Sequence, residues 1–217
     1  MSLNPGAPAN PFCTRFHAPG ALAFRFEARR GAGSAGGLYE RFEASRWRGE
    51  IRGPHGTGKS TLLRAFEAEL GAHGHRVRNV RLQAPAYAMP SGWDRYEETG
   101  GAPARPPILV LDGAERLART AWWRVRWTIR RRGWGVLATA HESLGLPELY
   151  RSGVDPALAE ALVEAVLNRS PELPRLVRPD EVLAELRATG GDFREALFRL
   201  YDLHEARWRQ AVLNSGL

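Results

Sequence analysis

Apolar residues follow two spacings along this chain. In one they cluster in short runs: Pro106-Pro107-Ile108-Leu109-Val110-Leu111-Asp112 and Trp134-Gly135-Val136-Leu137-Ala138-Thr139-Ala140-His141. Runs this short suit strands buried on both faces, as in a parallel sheet. Trp47 to Arg52 and Pro147 to Val154 are further strand candidates, and Arg76 to Gln83, with its polar face, suits a sheet edge. In the other spacing, Leu62, Leu63, Phe66 and Leu70 recur at three and four and predict a helix over Thr61 to Leu70. Leu38 to Trp47 and Arg116 to Arg132 read as helices too. Asp155-Pro156 pairs an N-cap with proline at the first helical position, Pro179-Asp180 opens another helix, and Asp192 after Gly191 caps a last one. Strands alternating with helices predict an α/β class.

Other stretches are less regular. Residues 1 to 21 carry Pro5, Pro8, Pro11 and Pro19 and read as extended. Leu22 to Ala28 alternates like an edge strand, Gly31 to Gly37 reads as a flexible loop, and Ala84 to Arg105 as an irregular connection. Trp122, Trp123 and Trp127 form an aromatic stripe expected to pack in the core rather than to serve as a base-stacking platform. Arg130-Arg131-Arg132 suits the negative end of a helix rather than a polyanion site.

Composition narrows the class. With 217 residues, one main domain and a small appendage are expected. Hydrophobic residues at 43% and charged residues at 25% exclude a disordered or collagen-like chain. No apolar run approaches the ~18 residues of a membrane span, and no secretory leader is expected at the N-terminus. The single cysteine, Cys13, excludes an intrachain disulfide and a cysteine metal cage, so a cytoplasmic location is expected. The net charge is +7, yet 30 of the 31 basic residues are arginine. That excess reads as a composition bias, so charge supports nucleic acid only weakly. The bias makes the one lysine, Lys59, conspicuous.

Lys59 lies in Gly53-Pro54-His55-Gly56-Thr57-Gly58-Lys59-Ser60, which fits G-x-x-x-x-G-K-[ST] between a candidate strand and a candidate helix. Such a loop turns backbone N–H groups inward as an anion nest, and the following helix adds its positive end. Gly56 and Gly58 allow close approach of phosphate, and Lys59 brings a compact charge where a planar guanidinium fits poorly. Ser60 is placed to ligate Mg²⁺, and the stretch Gly53 to Thr61 is expected to bind the nucleotide. Asp112 ends an apolar strand where open α/β sheets bind ligands, and is expected to hold Mg²⁺ with Ser60. Glu115 follows after Gly113-Ala114; it is either the base for an attacking water or a first-turn helix acid. Thr139 or His141, at the end of the third run, is a candidate sensor of the γ-phosphate, or else a strand-end cap.

These motifs resemble the additional-strand class of P-loop NTPases, and within it the AAA-type ATPases. The resemblance covers residues 46 to 155. It implies a three-layer α/β/α fold with a mostly parallel sheet, in which the Thr139 strand lies between the other two motif strands. Asn10-Pro11-Phe12 resembles an N-terminal linker of such ATPases. Gly191-Asp192-Phe193-Arg194 resembles the lid-helix motif of clamp-loader and origin-recognition relatives, which implies a sensor role for Arg194. The implied organisation is an N-terminal extension over 1–45, a nucleotide-binding core over 46–155 and a helical lid over 156–217. The implied ligands are ATP or ADP with Mg²⁺. The implied activity is ATP hydrolysis, with Lys59, Glu115, Thr139, His141 and Arg194 in the reaction. A small-molecule kinase and a nucleotide-gated regulatory module with little hydrolysis stay open. So do a second copy of the chain or another protein as partner, with Arg130 to Arg132 as a source of a trans-acting arginine. No membrane association is expected.

Overall fold

Five parallel strands form one sheet in the order β2-β3-β4-β1-β5. They are β1 (Arg48–Arg52), β2 (Val77–Arg81), β3 (Ile108–Asp112), β4 (Gly135–Ala140) and β5 (Glu148–Arg151). In this computed structural model the described residues are 10–13, 24–27, 30–83, 87–95, 105–169, 171 and 173–214. The stretch 1–21 falls mostly outside them, as does more than half of the connection 84–105. The helices among the described residues are α1 (Ala35–Ala44), α2 (Lys59–Ala72), α3 (Arg119–Arg132), α4 (Pro156–Leu167), α5 (Pro179–Ala188) and α6 (Phe193–Asn214). The chain divides into two compact units. One comprises Phe24–Gly53 and Gly58–Ser152; the other comprises Met1–Ala23, Pro54–Thr57 and Gly153–Leu217.

The first unit contains the sheet. Its strands alternate their side chains between two faces. Ile51, Ile108, Val110 and Leu137 pack with Phe42 of α1 and with Leu62, Phe66 and Leu70 of α2. Leu109, Leu111, Val136 and Ala138 turn the other way and pack with Val125 and Ile129 of α3. This is the three-layer arrangement. Every residue of β4 is buried, which is why its sequence reads as an unbroken apolar run with one threonine. Burying each large aliphatic side chain here contributes about 1.5–3 kcal/mol before the cost of ordering it. β4 lies between β1 and β3, with Ile51 beside Thr139 and Leu111 beside Ala138. The extra strand between the two motif strands is therefore present, and β2 occupies a sheet edge.

Four expectations are corrected. The helix expected from Arg116 is broken: Ala114–Arg116 is a 3₁₀ turn, Leu117 is extended, and α3 starts at Arg119. The glycine-rich loop 31–37 gives way to α1, whose N-cap Ser34 accepts from the Gly37 N–H at 3.1 Å. Among the described residues of 22–28, Glu27 forms only an isolated antiparallel bridge, with Ala32. Of the tryptophan stripe, Trp122 packs on the core and donates to the Leu144 carbonyl at 3.0 Å, whereas Trp123 is 66% and Trp127 49% exposed. Val125 and Ile129 define the inner face of α3, and the helical turn carries Trp123 and Trp127 away from it.

The second unit has its own core: Phe12, Ala159, Val163, Val182, Leu186, Phe193, Leu197 and Leu200. Asp155 caps α4 by accepting from the Leu158 N–H at 2.8 Å, with Pro156 next. Asp192 accepts from the Glu195 N–H at 3.1 Å at the start of α6. Asn10 ties its segment to α6 through the Tyr201 carbonyl at 3.0 Å. Among the described residues no helix is long and apolar enough to cross a membrane.

Candidate functional site

The C-terminal ends of β1, β3 and β4 lie side by side and bring the motif residues of the sheet unit together. After β1 the chain enters the loop that leads into α2. Gly58 is left-handed at φ 86°, which a side chain would strain, and this lets α2 start at Lys59. Lys59 and Ser60 form the first turn of α2 and Thr61 follows. No acid occupies that turn, so the positive helix end is uncompensated by the helix itself. Lys59 Nζ donates to the Gly53 carbonyl at 2.6 Å, spanning the loop it closes.

Asp112 ends β3 and is the centre of a polar cluster. Its Oδ1 accepts from Ser60 Oγ at 3.1 Å and from Thr139 Oγ1 at 2.9 Å. Its Oδ2 faces the guanidinium of Arg81 at 3.3 Å. Thr139 is fully buried and also accepts from the Gly113 N–H at 2.8 Å, so one hydroxyl fixes both Asp112 and the turn after it. Gly113 is left-handed at φ 85°, and this turn carries Glu115 back toward β4.

Glu115 meets His141 there. His141 Nε2 lies 3.2 Å from Glu115 Oε1, and its Nδ1 lies 3.0 Å from the Gly53 carbonyl. A carbonyl can only accept, so Nδ1 carries a hydrogen and the ring's other nitrogen faces the carboxylate. A polar chain therefore runs from Lys59 through the Gly53 carbonyl and His141 to Glu115. The other carboxylate oxygen, Oε2, is buried without a hydrogen-bond partner.

Pro54, His55, Gly56 and Thr57 fall with the second unit. Thr57 Oγ1 donates to the Pro54 carbonyl at 2.9 Å and pins the loop's curvature. A side chain at Gly56 would meet Asp192 Oδ1 at 1.9 Å, so the loop approaches the cap of α6 as closely as only glycine allows. Arg194, two residues on, is exposed, with its guanidinium 6.0 Å from the Phe198 ring centroid. Asn10 Oδ1 accepts from the Phe12 N–H at 3.0 Å, and Phe12 is fully buried in that unit's core.

Two residues of the site lay outside the sequence reading. Arg81 pairs with Asp112 because β2 and β3 are in register there, and its only sequence signal is a basic residue at a strand end. Glu50, within β1, is fully buried and accepts from Ser143 Oγ at 2.9 Å and the Leu144 N–H at 2.8 Å. It anchors the loop that follows His141; an acid inside a buried strand was the available signal. Among the described residues no group of three or more His, Cys, Asp or Glu side chains forms a metal cluster. Ser60 Oγ and Asp112 Oδ1 are instead paired hard oxygen donors of the kind that suits Mg²⁺ alongside phosphate and water.

No family model matches the chain, and no curated sequence matches it. Among solved structures it is similar to Cdc6p from Pyrobaculum aerophilum, at 15% identity and a TM-score of 0.55, over 80% of this chain and 61% of that one. It is similar to a DNA replication initiation factor at 16% identity and a TM-score of 0.50, over 79% and 62%. NtrX from Brucella abortus, in complex with ADP, matches at 18% identity and a TM-score of 0.51, over 82% and 51%. The chain thus spans between half and two thirds of those structures. The fold it shares with them, with its all-parallel sheet and inserted β4, is that of AAA-type P-loop NTPases.

Proposed function

We propose that this chain binds ATP and ADP with Mg²⁺ and hydrolyses ATP. The observation that carries the reading is the convergence of Ser60 Oγ and Thr139 Oγ1 on Asp112 Oδ1, one residue along α2 from the chain's only lysine. Loop N–H groups between Gly53 and Ser60, Pro54 having none, together with the start of α2 and Lys59 would hold the phosphates. Ser60 and Asp112 would hold Mg²⁺, which when bound neutralises phosphate charge.

Glu115 is assigned as the base. Water attacks the γ-phosphorus, its proton passes to Glu115, and the bond to the bridging oxygen breaks to release ADP and phosphate. His141 orients the carboxylate from Oε1. Thr139 positions Asp112 and reports the γ-phosphate. Arg194, beside the cap that packs on Gly56, is assigned as the sensing arginine of a helical lid formed by residues 156–217, with the nucleotide core over 46–155 and the extension over 1–45. The lone cysteine suits a cytoplasmic setting. A second reading, a nucleotide-gated module with little turnover, is favoured by Gly113 directly after Asp112, which moves the nearest acid to Glu115.

The deciding experiment is ADP release with no added acceptor. Turnover that falls about 10²-fold in Glu115→Gln, with ATP affinity retained, supports hydrolysis through this base. Tight binding without turnover favours the gated module, and release only with an added acceptor favours a kinase.

A further inference from the structure

The outward face of α3 is rich in arginine and tryptophan. Six of its fourteen residues are arginine, three are tryptophan, and none is acidic. The whole chain has 24 acids and 30 arginines in 217 residues, so the general arginine excess does not produce a helix of this kind. A helix turns about 100° per residue. Arg119, Arg130, Trp123, Trp127, Arg131 and Arg124 therefore fill one arc about 140° wide, and all six are exposed. Arg131 lies over the Trp127 ring at 4.7 Å. Arg132, off this arc, pairs with Asp94 at 3.3 Å. Arg119, Arg124, Arg130 and Arg131 make no ion pair with a described residue.

We propose that this face binds single-stranded nucleic acid, independently of the nucleotide site. The arginines supply the phosphate-tracking charge, and Trp123 and Trp127, one turn and about 6 Å apart along the helix, supply stacking planes for unpaired bases. A duplex keeps its bases stacked and would leave both indoles without a role. A bilayer interface takes up indoles together with other apolar side chains of the same helix face, and those of α3, Val125 and Ile129, are buried against the sheet. An acidic protein surface would engage the arginines but offers the indoles no planar partners.

The test is fluorescence anisotropy of a labelled oligothymidylate with the full chain, at several salt concentrations. Binding is expected to weaken as salt rises and to quench tryptophan emission. Trp123→Ala with Trp127→Ala should weaken it about tenfold or more with the salt slope unchanged. Arg124→Gln with Arg131→Gln should weaken it and flatten the slope by about 1.4, because each of the two phosphate contacts contributes about 0.7 for a single strand. All four positions are exposed, and a melting curve for each variant verifies folding. The proposal is overturned by absence of binding, or by Trp-to-Ala variants that bind as the wild type does. It is overturned equally if duplex DNA, polyglutamate or anionic vesicles compete as well as the oligonucleotide at matched charge.

Discussion

Ser60 Oγ donates to Asp112 Oδ1 at 3.1 Å, joining the first turn of α2 to the end of β3 across 52 positions of sequence. β1 delivers the loop that starts α2, β3 ends on the aspartate, and β4 between them supplies Thr139, whose hydroxyl donates to that aspartate. If Asp112 acts on phosphate through a metal ion, Asp112→Asn should weaken the Mg²⁺-dependent part of nucleotide binding and leave the metal-free part nearly intact. Titrations with and without EDTA measure this. Equal losses in both would assign Asp112 a purely structural role.

Thr139 is the one polar side chain in a strand that is otherwise apolar and buried throughout. Thr139→Val keeps the shape and removes the hydroxyl, leaving the Gly113 N–H unpaired and Asp112 with Ser60 and Arg81 as its remaining donors. The expected loss is about 1–3 kcal/mol of stability, the cost of an unsatisfied buried group. Thr139→Ser should recover most of it, since the hydroxyl returns and only a methyl is lost. Urea unfolding of the three proteins decides this.

Much of the architecture was legible because it follows from local rules. Short apolar runs marked β3 and β4, three-and-four spacing marked α2, and Asp155-Pro156 marked the start of α4. What was not legible depends on pairing in space. Nothing near Arg81 announces that it faces Asp112 until β2 and β3 are in register. Trp123 and Trp127 read as core because spacing alone does not say which side of α3 meets the sheet. The break at Leu117 follows from the left-handed turn at Gly113 and the tertiary position of Glu115, neither of which periodicity reports. His141 was legible as a strand-end residue, but its link from the Gly53 carbonyl to Glu115 was not.

Arg194 is exposed and sits beside the α6 cap that packs on Gly56. A sensing arginine neutralises charge carried chiefly by the γ-phosphate. Arg194→Ala should therefore weaken ATP more than ADP. Competition titrations of the two nucleotides measure the ratio, and equal affinities to wild type would leave α6 without a role in nucleotide sensing.

The helical unit should lose stability in acid in two stages. Burial holds His204 below its ordinary value of 6.5, so the unfolded chain binds the proton more readily, and stability is lost as pH falls through that value. Arg207, donating to Glu181 Oε2 at 2.7 Å, lowers Glu181 from 4.5 to about 2. That carboxylate contributes stability above 4.5 and loses it progressively toward 2. Urea midpoints followed by circular dichroism across this range should show both falls. Glu181→Gln should flatten the lower one and leave the upper one in place.

Every role assigned to the loop depends on a nucleotide site closed by Lys59, and isothermal titration of Mg-ATP and Mg-ADP into wild type and Lys59→Ala measures that binding. Wild type should bind both with one site per chain, and ligand at 100 times its dissociation constant should add about 2.7 kcal/mol to stability. Lys59→Ala, folded to the same melting temperature without nucleotide, should lose most of that affinity. Wild-type protein that releases no heat and keeps an unchanged melting curve with millimolar nucleotide and Mg²⁺ would contradict a site closed by Lys59, as would Lys59→Ala binding as wild type does.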